Sequence, residues 1–321
     1  MRITIAYNGK ADKSESQAEL LEQSYIDRVR EWTEKLNHTV TPVDMTCSNS
    51  EAVDRLLNSC PEMILNIAEG TEGTAREAKY PAIYEQLGIP YTGANSAMLL
   101  VSQDKRLCEK IFEVWGVRVP RGIIATPQNP EIPDSLHYPL MIKPNYEGSS
   151  KGIYEDSIVR SEQEAQKVIT DRLEKYPAGV IIEEYIEGRE FTLGRLETWP
   201  RKYLEIVEYT FGDKENIHDF ETKEKEEESI ICPPDITREQ RHAIVSIADH
   251  VFRIMPCPDF GRVDLRMKET GEVFLIEVNP LTSLRWNSAM ILGGKAIGLE
   301  AHEIINYIIQ SALSRYHIPL H

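Results

Sequence analysis

Four side chains whose types suit metal or phosphate chemistry lie on two neighbouring stretches towards the end of the sequence. GRVDLRM (261–267) and EVFLIEVN (272–279) are joined by a short polar segment and predict a β-hairpin. Side chains alternate along a strand, so Arg262 shares a face with Asp264, as Glu277 does with Asn279. A closing loop at 269–272 would place Asp264 opposite Glu277. These oxygen ligands suit Mg²⁺, although a cross-strand network of surface charges would have the same sequence pattern.

A second stretch, IKPNYEGSSKG (142–152), leads from an apolar strand into a turn rich in glycine and serine. Backbone N–H groups in such a turn can form a nest for phosphate oxygens. Lys143, at the end of the strand, would add a positive charge beside the same anion. The turn lacks the GK[ST] ending of a P-loop. By itself, a glycine-rich turn is more often only a turn.

A third stretch, VIIEEYIEGREF (180–191), runs from an apolar strand into several acidic residues. The backbone of this segment could pair with adenine, while a carboxylate held the ribose hydroxyls. For this segment taken alone, an ordinary strand with acids facing solvent is the favoured interpretation.

The spacing of hydrophobic residues predicts the elements that carry these stretches. Short apolar runs at 2–7, 39–43 and 63–68 alternate with helical patterns at 17–36 and 50–58. This alternation predicts a small doubly wound α/β domain at the start of the chain.

Beyond this domain, one helix is predicted over 103–116, and strands at 138–143 and 179–185 enclose a helix at 161–175. Later helices are predicted over 237–255 and 299–315. We place the domains at 1–94, 95–184 and 185–321. The acidic run KEKEEE (223–228) is either a solvated loop or part of a lid.

Bulk composition limits the function classes. The chain has 321 residues, a formal net charge of −16 and five scattered cysteines without a CxxC pair. The negative charge argues against nucleic-acid binding, which needs a basic face. No apolar run is long enough for a membrane helix. The cysteine pattern indicates neither a zinc site nor a disulfide framework, and it predicts reduced thiols in a cytoplasmic protein.

Taken in order, the motifs resemble those of the ATP-grasp superfamily, and most closely those of D-alanine–D-alanine ligases. The resemblance covers nearly the whole chain. It rests on GIPYTG (88–93), QDK (103–105), YPLMIKPNYEGSSKG (138–152), VIIEEYIEGREFT (180–192), DFETK (219–223), ICPP (231–234), FGRVDLRM (260–267) and FLIEVNP (274–280). The resemblance implies an α/β pre-ATP-grasp domain followed by a two-subdomain ATP-grasp fold of α+β type.

The resemblance also implies a nucleotide site. Lys105 and Lys143 would contact the ATP phosphates, and Lys223 would approach them from a closing loop within 212–228. Ser149 and Ser150 would belong to the glycine-rich loop that covers the nucleotide and the first substrate. Adenine would meet the backbone of Glu183, Glu184 and Ile186, and Glu190 would hold the ribose.

The implied chemistry depends on the hairpin. Asp264, Glu277 and Asn279 would hold two Mg²⁺ ions, for which Mn²⁺ is a possible substitute. Arg262 would stabilise the oxyanion formed when an amine attacks an acyl phosphate. Arg262, Lys223 and Ser149 would therefore be the catalytic residues.

The substrate regions depart from the family pattern. The usual glutamate-bearing segment near the start is altered, leaving Glu15 near the expected place, and Glu224 stands where an aromatic residue is common. The segment after Asn279 lacks the turn that receives the second D-alanine. Its candidate replacements are Ser283, Arg285, Asn287 and Ser288. Arg285 could grip a carboxylate with its planar fork, or it could be an exposed loop residue.

We therefore predict an ATP-dependent carboxylate–amine ligase for small amino-acid-like substrates, acting in a biosynthetic pathway and assembled as a homodimer, with no nucleic-acid or membrane partner. One alternative is a true D-alanine–D-alanine ligase. Another is a catalytically silent nucleotide-binding regulator, although the metal-type acids and Arg262 are retained.

Overall fold

The computed structural model describes residues 1–12, 14–198, 202–210 and 229–319. Within them the chain forms three β-sheets with helices packed on their faces. No helix in this part of the chain has the length and apolar character needed to cross a membrane.

The first sheet is parallel, as the alternating pattern predicts. Its strand order is β2–β1–β3, with β1 at Arg2–Tyr7, β2 at Thr39–Asp44 and β3 at Met63–Asn66. Helices α1 (Gln23–Glu34), α2 (Asn49–Asn58) and α3 (Lys79–Leu87) accompany these strands. Gly88 ends α3 in the left-handed conformation, with φ +67°, which glycine adopts without strain.

The first helix is shorter than the predicted 17–36. A 3₁₀ turn at Glu15–Gln17 precedes it, and Leu21 exchanges backbone hydrogen bonds with the loop after β1. Its N–H donates to Asn8 at 2.8 Å, and its carbonyl accepts from Lys10 at 2.9 Å. Because these bonds use the backbone groups that a helix would need, the helix begins only at Gln23.

The second sheet is antiparallel, with strand order β4–β7–β5–β6. The strands are β4 (Gly122–Ala125), β5 (Leu140–Pro144), β6 (Ile158–Val159) and β7 (Val180–Glu184). Helix α6 (Glu162–Lys175) covers one face and buries Ala165, Val168 and Ile169 against it.

The helix predicted over 103–116 is present as α5 (Lys105–Val114), and a second helix that was not predicted, α4 (Ser96–Gln103), precedes it. Asp104 between them has φ −82° and ψ 86°, outside the helical region, and its carboxylate accepts the N–H of Leu107 at 3.0 Å. Asp104 is thus the N-cap of α5.

The third sheet has six antiparallel strands in the order β11–β10–β8–β12–β13, with β9 paired to β8. They are β8 (Arg189–Leu196), β9 (Lys202–Tyr203), β10 (Val207–Thr210), β11 (Ser229–Ile231), β12 (Phe260–Met267) and β13 (Val273–Asn279). Helix α7 (Arg238–Ile254) packs on this sheet through Ile244, Val251 and Phe252.

Two further helices close the chain, α8 (Ala289–Ala296) and α9 (Ala301–Arg315). Helix α9 returns to the first sheet, where Ile304 and Ile308 share a core with Ile26 and Val29 of α1. The first and last segments are therefore packed together. The proposed division into three domains stays a prediction.

Candidate active site

One cavity of about 290 Å³ lies between the second and third sheets. β5, β7 and the turn after β5 contribute to one wall, and β12 and β13 to another. The following predicted site residues line it: Lys105, Lys143, Ser149, Ser150, Glu183, Ile186, Glu190, Arg262, Asp264, Glu277 and Asn279. Most of the nucleotide and metal positions inferred from sequence are thus brought to one place.

The β12–β13 hairpin has the predicted Asp264–Glu277 pair, but its connection is longer than predicted and one strand contains a bulge. Asp264 lies opposite Glu277 and Arg262 opposite Asn279. The connection between β12 and β13 is one residue longer than expected, so Met267 pairs with Val273. The register shifts between Asp264 and Leu265, because Ile276 on β13 is a bulge residue without an opposite partner. The bulge compensates for the extra residue in the connection, so Asp264 still lies opposite Glu277. The bulge keeps the two carboxylates facing each other, as bulges near active sites often do.

Arg262 and Asp264 form the centre of a hydrogen-bond network. Arg262 donates from Nε and Nη2 to the two oxygens of Asp264, at 2.9 and 2.7 Å. Thr192 Oγ1 donates to Asp264 Oδ1 at 2.6 Å, and Arg262 Nη1 donates to Thr282 Oγ1 at 3.2 Å. These bonds fix the guanidinium at the cavity wall, where its charge can act on a bound anion.

Two lysines project into the same cavity, and each is paired with a glutamate. Lys105 Nζ lies 2.7 Å from Glu277 Oε1. Lys143 Nζ donates to Glu183 Oε1 at 2.7 Å, and both side chains are buried. Burial lowers the pKa of Lys143, but the negative charges of Glu183 and Glu109 raise it more, and the net shift is upward. Lys143 is therefore held as a cation inside the protein.

The donor set on the hairpin fits Mg²⁺. Within the described ranges, no group of three or more His, Cys, Asp or Glu residues is arranged around a metal position. Here two carboxylates face each other, and Asn279 Nδ2 donates to Asp264 Oδ2 at 2.8 Å. Rotating that amide by half a turn would present its oxygen instead. Two carboxylates and one amide oxygen beside an anion cavity are ligands that Mg²⁺ accepts together with phosphate and water.

The serine-containing turn after β5 has a strained backbone. Ser149 and Ser150 both have positive φ angles, +51° and +61°. Glu19 accepts the N–H of Gly148 at 2.7 Å and pairs with Arg76, so a buried carboxylate fixes the start of the turn. Non-glycine residues in this conformation are uncommon and concentrate at ligand-binding sites.

The segment after β7 forms the side of the cavity predicted to hold adenine and ribose. Glu190 accepts from Arg266 at 2.8 Å, and Arg266 also donates to the carbonyl of Ile186 at 3.0 Å. Glu184 does not line the cavity. Its carboxylate is turned towards His137, where Oε1 accepts the backbone N–H at 3.1 Å and lies 2.9 Å from the ring Nδ1. The backbone N–H of Glu184 donates to the carbonyl of Arg121.

Of the residues predicted from the altered substrate regions, Ser283 lines the cavity, whereas Glu15, Arg285, Asn287 and Ser288 do not. Glu15 instead accepts from Gly152 N at 2.9 Å and from the Tyr154 hydroxyl at 2.7 Å, behind the serine turn. Arg285 lies over the ring of Tyr25, with its guanidinium carbon 5.9 Å from the ring centroid.

Ser288 caps α8 by accepting the N–H of Ile291 at 3.5 Å, and Asn287 beside it also lies outside the cavity wall. From the segment after Asn279, the cavity is lined by residues 280–283. Lys223, Glu224 and the predicted lid lie outside the described residues.

Several lining residues were not among the predicted site residues: Glu19, Glu69, Glu77, Gln103, Tyr209 and Arg266. Arg266 had a detectable signal, because it continues the alternation of Arg262 and Asp264 along one strand face. The QDK motif (103–105) contains Gln103, but nothing in its spacing shows that this residue faces the site, and no quoted motif contains Glu77.

Comparison with known proteins identifies the family. The family model described as D-ala D-ala ligase C-terminus matches residues 125–310, more than half of the chain. The chain belongs to this family. The D-alanine–D-alanine ligase of Thermotoga maritima is 29% identical over 293 residues, covering 89% of this chain and 90% of that protein. The uncharacterized protein y4sG of Sinorhizobium fredii is 30% identical over 257 residues, covering 79% and 75%.

Solved D-alanine–D-alanine ligase structures share the fold. The enzyme from Bacillus anthracis complexed with ATP superposes with a TM-score of 0.80 at 20% identity, covering 99% of both chains. The VanG D-Ala:D-Ser ligase from Enterococcus faecalis gives a TM-score of 0.75 at 21% identity, covering 97% of this chain and 99% of that one. The prediction of an ATP-grasp fold related to D-alanine–D-alanine ligases is confirmed.

Proposed function

We propose that this chain is an ATP-dependent ligase that activates a carboxylate as an acyl phosphate and joins it to the amine of an amino-acid-like substrate. The observation that carries the proposal is the convergence of Lys105, Lys143, Arg262 and the Asp264–Glu277 pair on one cavity. Membership of the D-alanine–D-alanine ligase family supports the same class of reaction.

Each step has a side chain suited to it. A carboxylate is a poor electrophile, so phosphorylation must first convert one of its oxygens into part of a good leaving group, which departs as phosphate when the amine attacks. Lys105 and Lys143 are paired here with Glu277 and Glu183. When ATP binds, the two lysines would contact its phosphates and balance part of their negative charge. Bound at Asp264, Glu277 and Asn279, Mg²⁺ would neutralise phosphate charge.

Arg262 would then act on the second step. Its guanidinium is held by Asp264 and Thr282 at the cavity wall, with little freedom to reorganise. A fixed cation at this place would stabilise the oxyanion formed when the amine attacks the acyl phosphate. Water must be kept out meanwhile, because it would hydrolyse the acyl phosphate.

Family membership indicates which substrate to test first. The relatives named above as D-alanine–D-alanine ligases make D-alanine the first compound to test on this chain. Binding of ATP, use of two Mg²⁺ ions and assembly as a homodimer are further parts of the proposal. The ATP-bound structural relative supports the first of these.

The experiment is release of phosphate from ATP with a panel of D- and L-amino acids, offered singly and in pairs. The proposal expects release that depends on amino acid and is lost in Asp264→Asn. A matched control is Asp249→Asn, which changes a carboxylate on the distant helix α7. ATP binding without release for any combination would instead support a silent regulator. Efficient release with D-alanine alone would support a D-alanine–D-alanine ligase.

A further inference from the structure

One wall of the cavity is formed where the end of α4 meets the segment before α3. Gln103 and Glu77 both line the cavity there. Leu99 and Gln103 are four residues apart on α4 and so lie on one face of the helix. Leu99 packs in one cluster with Ala78 and Leu281. The helix face that carries Gln103 therefore looks towards the segment that carries Glu77.

Gln103 is buried without satisfying its amide. Gln103 is only 4% exposed, yet neither its Nε2 nor its Oε1 has a hydrogen-bond partner in the part of the chain that the structure describes. Burying an amide in this state is unfavourable, and most buried polar groups have partners. Because Gln103 lines the cavity, its unpaired Oε1 is an acceptor for a donor on a bound molecule.

Glu77 is a second polar group at the same wall without a bond. Among the described residues it makes no hydrogen bond or ion pair, whereas Asp264, Glu277 and Glu183 are each paired with a cation. Burial raises the pKa of Glu77 to about 7, and the nearby charge of Glu19 adds to this rise. Arg76 and Lys105 lower it, but less. A cation bound beside Glu77 would relieve this penalty.

The cavity lining carries an excess of negative charge. Eight carboxylate and four cationic side chains line it among the described residues, and two of the carboxylates, Glu19 and Glu147, are paired with Arg76 and Lys151 outside the lining, which leaves an excess of two. ATP with two Mg²⁺ ions is electrically neutral, so the nucleotide does not remove this excess of negative charge. A co-substrate with a net positive charge is favoured over a neutral zwitterion such as D-alanine.

We propose that Glu77 and Gln103 form a subsite for a side-chain ammonium group, so that one substrate is a diamino acid. An ammonium group has three N–H donors. Two can be accepted by the Glu77 carboxylate and the Gln103 carbonyl oxygen. For turnover, this inference rests on the ligase function proposed above, while binding tests it separately.

The test compares diamino acids with methyl-ended isosteres of the same length. The pairs are 2,3-diaminopropionate with 2-aminobutyrate, 2,4-diaminobutyrate with norvaline, ornithine with norleucine, and lysine with 2-aminoheptanoate, each as both enantiomers. Phosphate release gives kcat/KM, and thermal unfolding in the presence of ATP and Mg²⁺ gives binding. At least one diamino acid should exceed its isostere about tenfold or more in kcat/KM and bind more tightly, as expected for a charge-assisted hydrogen bond.

Glu77→Gln keeps the shape and removes the charge. It should lower the ratio of diamino acid to isostere by about tenfold, and Glu77→Asp should restore part of the ratio. Glu72→Gln is the matched control, because Glu72 is an exposed residue of the same segment outside the cavity wall. A purely structural role for Glu77 would change both substrates of a pair equally.

The outcomes separate the two proposals. If no amino acid causes phosphate release but a diamino acid still raises the unfolding temperature more than its isostere, the ligase proposal fails and the subsite stands. If isosteres match or exceed the diamino acids in both assays, or if Glu77→Gln leaves the ratio unchanged, the subsite is refuted.

Discussion

Replacing Glu77 by glutamine should stabilise the protein, and the gain should grow with pH. The pKa of Glu77 is raised from 4.5 to about 7, chiefly by burial. A rise of about 2.5 units corresponds to ~3 kcal/mol between the charged and neutral forms. This is an upper limit, because Glu77 reaches the cavity and water screens part of its charge.

The sign follows from proton binding. Between pH 4.5 and about 7 the folded protein holds the Glu77 proton more tightly than the unfolded chain does. The contribution of the Glu77 carboxyl group to the free energy of unfolding is therefore fully present below pH 4.5 and is lost as the pH rises through about 7. Glu77→Gln has no such loss, so its advantage over the unmodified protein should be small at pH 5 and reach its maximum above pH 8.

Urea unfolding of both proteins at pH 5, 6, 7 and 8 measures this difference directly. Glu72→Gln, at an exposed position of the same segment, should differ little from the unmodified protein at every pH. A constant offset between Glu77→Gln and the unmodified protein across this range would contradict the reasoning. A larger gain at pH 5 than at pH 8 would do so as well.

The remaining predictions concern the other polar groups of the cavity. Glu277→Ala should abolish phosphate release, measured with saturating ATP, because it removes one metal-type carboxylate and the partner of Lys105. Arg262→Ala should lower product formation by about 10²–10³ while leaving ATP affinity in equilibrium binding nearly unchanged; equal losses of both would contradict its role. Glu19→Gln should lower the unfolding free energy by about 3–5 kcal/mol in urea, since it breaks a buried ion pair with Arg76, and an unchanged midpoint would argue against that pair. Gln103→Leu should raise it by about 1 kcal/mol, because the buried amide lacks partners, and a loss of stability would show that those groups are satisfied.

The hairpin shows how far the sequence alone reaches. Alternation along two strands, with an assumed closing loop at 269–272, paired Asp264 with Glu277, as the structure has them. The longer connection and the bulge at Ile276 were not predictable, because two one-residue differences that compensate each other leave no trace in the hydrophobic pattern. The cross-strand pair was therefore predicted correctly from an incorrect loop length.

Helix α8 was missed because Gly293 and Gly294 argue against a helix. The structure explains one of these glycines: a Cβ at Gly293 would lie 2.6 Å from the carbonyl oxygen of Glu205. Close packing with a distant segment thus overrides local preference. The same holds for Gln103, whose approach to the segment before α3 depends on contacts between residues far apart in sequence.

In the proposed reaction, a carboxylate oxygen of the substrate becomes bonded to the γ-phosphorus of ATP. The direct measurement uses an amino acid labelled with ¹⁸O in its carboxylate, under conditions that give phosphate release. The released phosphate should carry one ¹⁸O atom for each amide formed, and the nucleotide product should be ADP. Phosphate without ¹⁸O, or formation of AMP and pyrophosphate, would contradict an acyl phosphate intermediate.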